Sequence, residues 1–240
     1  NFGDFRLAMR VIILTSYPKI FPGSLGHSIV GNALDNKKFN LEIIDLHKHG
    51  IDQRGSIDDE PFGGGPGMVI RPDVIENALS SITLNSKNPF KVFLTPSGIK
   101  LTQKKLEDIS KYEEIIILCG RFEGVDQRAI EILGFQEISI GDYVLSGGEI
   151  AAQVLVEGCI RLIPGVLGQP ESLLEESFSN DLLEYPHYTR PRVWEDKQGL
   201  KHEVPDVLVS GHHEKIGRWR KDKAVEKTKN LRPDLLKKGL

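Results

Sequence analysis

Between Ile115 and Glu149 one pattern occurs twice: an apolar, strand-like run, EIIILC and then FQEISI, breaks off into a glycine-rich turn, GRFEGVDQR and then GDYVLSGGE. In an open α/β sheet the loops leaving the carboxyl ends of the strands form the ligand crevice, and glycine lets the backbone close on a ligand with no Cβ in the way. Two such loops so near in sequence suggest that they wrap one small molecule. Neither GxGxxG nor GxxxxGK[ST] is present, so the expected ligand is not a triphosphate gripped by a lysine.

The pattern extends on both sides. Strand-like runs at Val11–Leu14, Leu41–Leu46, Val92–Leu94, Ile115–Cys119 and Glu137–Ile140 alternate with helix-like ones at Leu25–Asp35, Asp73–Ser81, Thr102–Lys111, Asp126–Leu133 and Gly148–Leu162. That rhythm predicts an α/β fold, a parallel sheet covered by helices. Thr102 stands where an N-cap belongs, and Pro72 punctuates a helix start. In the last helix the periodicity predicts Ile150, Val154, Leu155, Cys159 and Leu162 on one side, with Glu149, Gln153, Glu157 and Arg161 on another. Prolines 164 and 170 then break the helix, and an acidic, small-residue stretch predicts an interdomain linker at 167–176. A smaller, mainly helical domain is expected over 177–240.

Composition narrows the class. A chain of 240 residues, 39% hydrophobic, can bury a substantial core. Cys119 and Cys159 have neither disulfide-framework nor zinc spacing, which fits a reducing cytoplasm. No apolar run approaches the roughly 18 residues that span a bilayer, so no membrane is expected. Residues 1–8, NFGDFRLA, lack the apolar stretch of a signal peptide and are expected to be an added remnant ahead of Met9. The formal charge is −3, yet the last thirty residues, Gly211–Leu240, hold ten Lys/Arg against four acids. A basic segment on an acidic body is the footprint of a local polyanion contact, although a solvated helix face has the same composition.

Five ordered segments carry a resemblance: Leu118–Asp126 (LCGRFEGVD), Ser139–Glu149 (SIGDYVLSGGE), Gly63–Met68 (GGGPGM), Pro186–Pro191 (PHYTRP) and Val204–His213 (VPDVLVSGHH). Together they closely resemble the bacterial tRNA guanine-N1 methyltransferases of the TrmD type, from Met9 onward. The resemblance implies a SPOUT-type α/β domain over 9–166 whose carboxyl end is threaded into a trefoil knot, an exception to the rule against threaded chains. It also implies a homodimer whose subunits build each site jointly, S-adenosylmethionine as methyl donor, and the anticodon stem-loop of tRNA held by 177–240. The target it implies is N1 of the guanine at position 37.

Methyl transfer from a sulfonium asks little of the leaving group; the nucleophile is the difficulty. Guanine N1 is protonated at neutral pH, so a carboxylate base and a donor or cation for O6 are the minimal equipment. By resemblance the donor is held by Leu94, Thr95 and Pro96; by Gly120, Glu123 and Gly124; and by Ser139, Ile140, Gly141, Asp142, Tyr143, Val144, Leu145, Gly147 and Gly148. Valine at Gly120 or Gly141 is expected to fill donor space. The resemblance places the base at Glu176, where the family usually has aspartate, with Glu175 and then Asp181 as alternates. It places the O6 cation at Arg161, which could equally pair with Glu157, and a further carboxylate at Glu184. His212, His213 and Glu214 lack a third partner at metal-ligand spacing, so no metal site is assigned, although the family implies magnesium dependence. Competing readings are a ribose-methylating relative, disfavoured by HYTRP and VPDVLVSGHH, and a non-catalytic RNA-binding module, disfavoured because Arg161 and the linker carboxylates are present.

Overall fold

The structure is a computed structural model that describes residues 8–168, 177–178 and 181–236. The chain divides into two compact units, Asn1–Gly168 and Gln169–Leu240. In the first, β1 (Met9–Thr15), α1 (Ser28–Asp35), β2 (Phe39–Asp45), β3 (Asp58–Asp59), β4 (Val69–Ile70) and α2 (Pro72–Ser80) are followed by β5 (Phe90–Lys100), α3 (Gln103–Ile109), β6 (Glu114–Cys119), α4 (Gln127–Leu133), β7 (Gln136–Ser139) and α5 (Glu149–Ile160). Five strands form one parallel sheet in the order β2-β1-β6-β5-β7. The short pair β3 and β4 makes a separate antiparallel ladder.

The unbroken apolar runs have a simple cause. Alternate strand residues point to opposite faces, so a strand covered on both sides must be apolar at every position. Val11, Ile13, Ile115, Ile117 and Cys119 pack with α1 and α5 on one face. Ile12, Leu14, Ile116 and Leu118 pack with α2 and α4 on the other. Each such fully buried aliphatic side chain contributes roughly 1.5–3 kcal/mol of burial. Pro72 opens α2, Thr102 Oγ1 accepts the Lys105 N–H at 3.2 Å, and Asp126 Oδ1 accepts that of Arg128 at 2.9 Å.

Two features depart from the sequence reading. The third sheet strand is longer than Val92–Leu94, because β5 loops out and returns: Leu94 and Ile99 both align with Ile138, leaving Thr95–Gly98 outside the ladder. The predicted faces of α5 hold for Leu155 and Cys159, which are buried, and for Glu157, which is exposed, but they are reversed in its first turns. Glu149 and Gln153 are buried, whereas Ile150 is 57% and Val154 47% exposed. The polar pair has partners from elsewhere: Gln153 Oε1 accepts Ser24 N–H and Oγ–H at 2.9 and 2.8 Å, and Glu149 is met by Thr15 and Arg121.

At the amino end of the sheet, Arg10 donates to Glu114 at 2.8 Å, to Glu42 at 2.5 Å and to the Thr83 carbonyl at 2.7 Å. Glu114, fully buried, also accepts the N–H groups of Asn85 and Ser86.

The second unit is less purely helical than expected. It contains a hairpin of β8 (Val193–Glu195) and β9 (Lys201–Glu203), then α6 (Asp206–Val209), α7 (His213–Leu231) and α8 (Pro233–Leu236). Thr228 of α7 is fully buried; its hydroxyl donates to the Ala224 carbonyl at 2.7 Å and accepts the Leu183 N–H at 2.8 Å, which ties the 181–188 segment to the helix. Lys215, Arg218, Lys221, Lys227, Lys229 and Arg232 are exposed, so most of the basic run lies on a solvent face.

Candidate functional site

At the carboxyl ends of β5, β6 and β7, three turns enclose a cavity of about 430 Å³: the looped-out Thr95–Ser97, Gly120–Gly124 and the stretch from Ser139 to Gly148. All the residues expected to hold the ligand line it except Asp142, namely Leu94, Thr95, Pro96, Gly120, Glu123, Gly124, Ser139, Ile140, Gly141, Tyr143, Val144, Leu145, Gly147 and Gly148. Asp142 sits off the wall, its exposed carboxylate 3.3 Å from Lys100 Nζ.

The turns touch backbone to backbone. The Gly148 N–H donates to the Gly120 carbonyl at 2.9 Å, and a Cβ on Gly148 would lie 2.9 Å from Cys119 Cα. The GGGPGM turn docks behind the middle loop: Met68 O accepts the Glu123 N–H at 2.9 Å, and Ile70 N–H donates to Gly124 O at 3.0 Å. Gly124 has φ +124°, a conformation that L side chains rarely adopt, and a Cβ there would meet no protein atom within 4 Å. Valine at Gly120 or Gly141 also presses on rings of the cavity wall. The added carbon would meet the Phe93 ring at 2.8 Å in the first case and collide with the Tyr143 ring in the second, so either substitution displaces the wall.

Arg121 is the residue sequence reasoning passed over. Its Nε donates to Glu149 Oε1 at 3.2 Å and its Nη1 to the Ser146 carbonyl at 3.2 Å. Nη2 lies 2.9 Å from Glu149 Oε2, an ionic contact whose geometry makes no second hydrogen bond. Thr15 Oγ1 donates to Glu149 Oε1 at 2.8 Å, and the guanidinium covers the Tyr17 ring at 4.3 Å. Glu149 opens α5, where the helix dipole favours a carboxylate. Only the arginine's place inside a glycine loop hinted at this; its partner lies 28 residues on.

Of the expected catalytic residues in the unit that holds the cavity, Arg161 is not part of its wall. It is the C-cap of α5, its N–H bonded to the Glu157 carbonyl at 3.1 Å. The Glu184 carboxylate lies 2.7 Å from His187 Nε2 and accepts from it when that ring nitrogen carries the proton, and the Glu184 N–H donates to Ser177 Oγ at 3.0 Å. Glu176 and Glu175 lie outside the described residues, as does most of the 167–176 linker. Burial pushes the Cys159 thiol up to about 12 and that of Cys119 well above its usual range, which makes both poor nucleophiles. His212 occupies the N-cap position of α7, but its side chain makes no capping bond. Among the described residues no three His, Cys, Asp or Glu side chains converge as a metal site requires, and no helix is long and apolar enough to cross a membrane.

Comparison with known proteins gives one answer along the chain. A family model described as tRNA (Guanine-1)-methyltransferase TrmD matches residues 9–238. A tRNA (guanine-N(1)-)-methyltransferase of Rhodospirillum rubrum is 48% identical over 229 residues, covering 95% of this chain and 93% of its own length. Proteins of the same name from Wolbachia pipientis subsp. Culex pipiens and Ehrlichia canis are 47% and 45% identical, covering 96% and 95% of this chain and 98% and 96% of their own lengths. Strand-end loops, cavity and nearly full-length similarity agree, and the chain belongs to the TrmD family of tRNA (guanine-N1)-methyltransferases.

Proposed function

We propose that this enzyme transfers a methyl group from S-adenosylmethionine to N1 of guanine 37 of tRNA, beside the anticodon. The observation that carries the donor assignment is the 430 Å³ cavity walled by three small-residue turns, within the size range of small-molecule sites. Its lining fits such a ligand. The apolar Leu94, Ile138 and Ile140 offer contact area, backbone groups of the turns can read a base edge, and Gly124 leaves open the space a side chain would occupy. The interleaving of the β5 loop-out with the two later turns is consistent with a SPOUT trefoil knot.

S-adenosylmethionine, when bound, supplies an electrophilic methyl on a sulfonium with a good leaving group. The chain's own residues then act on the guanine. A carboxylate at Glu176 accepts the N1 proton, the ring becomes nucleophilic at N1, and the Arg161 guanidinium stabilises the negative charge that grows on O6. Glu184 holds the base nearby. Arg161 stands ten residues beyond Ala151 of the wall, about 15 Å along α5 at about 1.5 Å per residue. A cation at that distance serves a cavity in another copy of the chain, which supports a homodimer with shared sites. The exposed Ile150 and Val154, one turn apart, are suited to such pairing.

The exposed basic face of α7 supplies phosphate contacts for the anticodon branch, and a loop base can be splayed out at little cost. Any magnesium the reaction uses is assigned to the tRNA phosphates together with one or two carboxylates, the way this ion is usually held. In this reading the enzyme works in the cytoplasm. Incubation with unmodified tRNAs and methyl-labelled donor, followed by nucleoside mapping, tests it: label in 1-methylguanosine at position 37 is expected, and label on a ribose, on another base or nowhere overturns the reading.

A further inference from the structure

We propose that Arg121 is a positioning residue for the methyl donor, holding the Ser139–Gly148 turn against the Gly120–Gly124 turn and so setting the width of the cavity between them. The inference rests on the reading of that cavity as the donor site. Three observations carry it. Arg121 is itself part of the wall and only 18% exposed, so its position and the shape of the cavity are one matter. Its guanidinium reaches two points of the opposing segment, the Ser146 carbonyl and the Glu149 carboxylate, and Thr15 anchors that carboxylate to the end of β1. Gly147 leaves no room between them, since a Cβ there would collide with the guanidinium.

The chemistry requires arginine rather than any cation. Contacts to the carbonyl and to Glu149 come from different nitrogens of one rigid planar fork, which a single ammonium on a flexible stem cannot reproduce. A buried pair of this kind is a weak source of net stability, because desolvation offsets much of the attraction. Its position between two turns is therefore the property to test.

The test compares Arg121→Lys with Arg10→Lys, which makes the same change in the buried pair at the amino end of the sheet, away from the cavity. S-adenosylmethionine affinity is measured by calorimetry on the full chain, with the thermal midpoint and the tRNA affinity measured in parallel. Arg121→Lys is expected to weaken donor binding by at least tenfold and to raise the donor KM more than it lowers kcat, with tRNA affinity unchanged. Arg10→Lys is expected to lower the midpoint while binding the donor as the wild type does. Combining Arg121→Lys with Glu149→Gln should weaken donor binding by less than the product of the single effects. Wild-type donor affinity in Arg121→Lys, or an equal loss in Arg10→Lys, overturns the proposal. Failure of the wild type itself to bind the donor strikes the reading of the cavity instead.

Discussion

The sheet buries an arginine–glutamate pair at each of its ends, and the two differ in what else they touch. At the amino end, Arg10 and Glu114 sit among backbone groups: the Thr83 carbonyl and the N–H groups of Asn85 and Ser86 complete their hydrogen bonding. Glu42 adds a second carboxylate and, with burial working against it, helps raise the Arg10 pKa above its ordinary value. At the carboxyl end, Arg121 and Glu149 join two turns across a cavity and lie beside Tyr17, which is 48% exposed. Burial of an ion pair alone therefore does not mark a functional site. What sets the carboxyl-end pair apart is a wall shared with open space, where a movement of the pair changes the volume open to a ligand.

The largest effect expected is at neither pair. If Glu176 takes the N1 proton, Glu176→Gln keeps the size and removes the base, and single-turnover methylation should fall roughly 10²–10⁴-fold with donor affinity intact. Arg161→Ala should cost on the order of 3 kcal/mol in the barrier. Because both residues serve one transition state, the double variant should be far less impaired than the product of the singles. Near-normal turnover of Glu176→Gln would direct attention to Glu175, Asp181 or Glu184.

The amino-end pair should govern stability without touching chemistry. Glu114→Ala leaves Arg10 with Glu42 and the Thr83 carbonyl but strips the Asn85 and Ser86 N–H groups of their acceptor, and about 2–4 kcal/mol of folding stability should be lost. Urea unfolding measures the loss, while calorimetry on the folded protein should give the wild-type donor affinity. A weakened donor would join the two ends of the sheet and remove the distinction between them.

Gly148→Ala should produce the converse. Its φ of −79° suits any residue, so the cost is contact alone: the new carbon would stand 2.9 Å from Cys119 Cα and 3.1 Å from Gly120 N, both backbone atoms. A destabilisation of roughly 1–3 kcal/mol, typical of overpacking, should accompany a larger loss of donor affinity than Glu114→Ala causes. Unchanged donor binding would mean that the backbone contact between the turns is not what shapes the cavity.

The same contrast explains what could be read in the sequence. The central strands β1 and β6 were legible because burial on both faces leaves a local record, a nearly unbroken apolar run, whereas the edge strands β2 and β7 show it only in part, Asn40, Glu42 and Glu137 interrupting it. The cavity turns were legible as glycine-rich strand ends, and their specific assignment came from resemblance to a family. Helix α5 was misread in its first turns because periodicity assumes that polar residues face water. Glu149 and Gln153 instead find partners in Arg121 and Ser24, which no window along the helix contains. Asp142 was grouped with its neighbours in the turn, but a turn reverses direction and aims it at Lys100. The two-residue ladder of β3 and β4 and the hairpin in the second unit were too short to leave a pattern.

The smallest expected effect tests whether acid sensitivity belongs to the cavity end. Asp126 caps α4, directly after the Gly120–Gly124 turn; its side chain is 21% exposed and lies 2.7 Å from Arg128 Nη2. The Arg128 side-chain hydrogen bond holds the Asp126 carboxyl below its ordinary range, aided by the Arg128 N–H and opposed by burial. A depressed folded-state pKa stabilises the protein above the unfolded value, about 3.9, and that contribution fades as pH falls through the lower folded value. Asparagine keeps a capping oxygen but cannot titrate or pair with Arg128. The thermal midpoint of Asp126→Asn should therefore lie slightly below that of the wild type at pH 6, by an amount typical of a partly exposed pair, about 1 kcal/mol or less. Below about pH 4 the two midpoints should converge, and a gap that persists undiminished at pH 3 would assign the difference to the cap rather than to the charge.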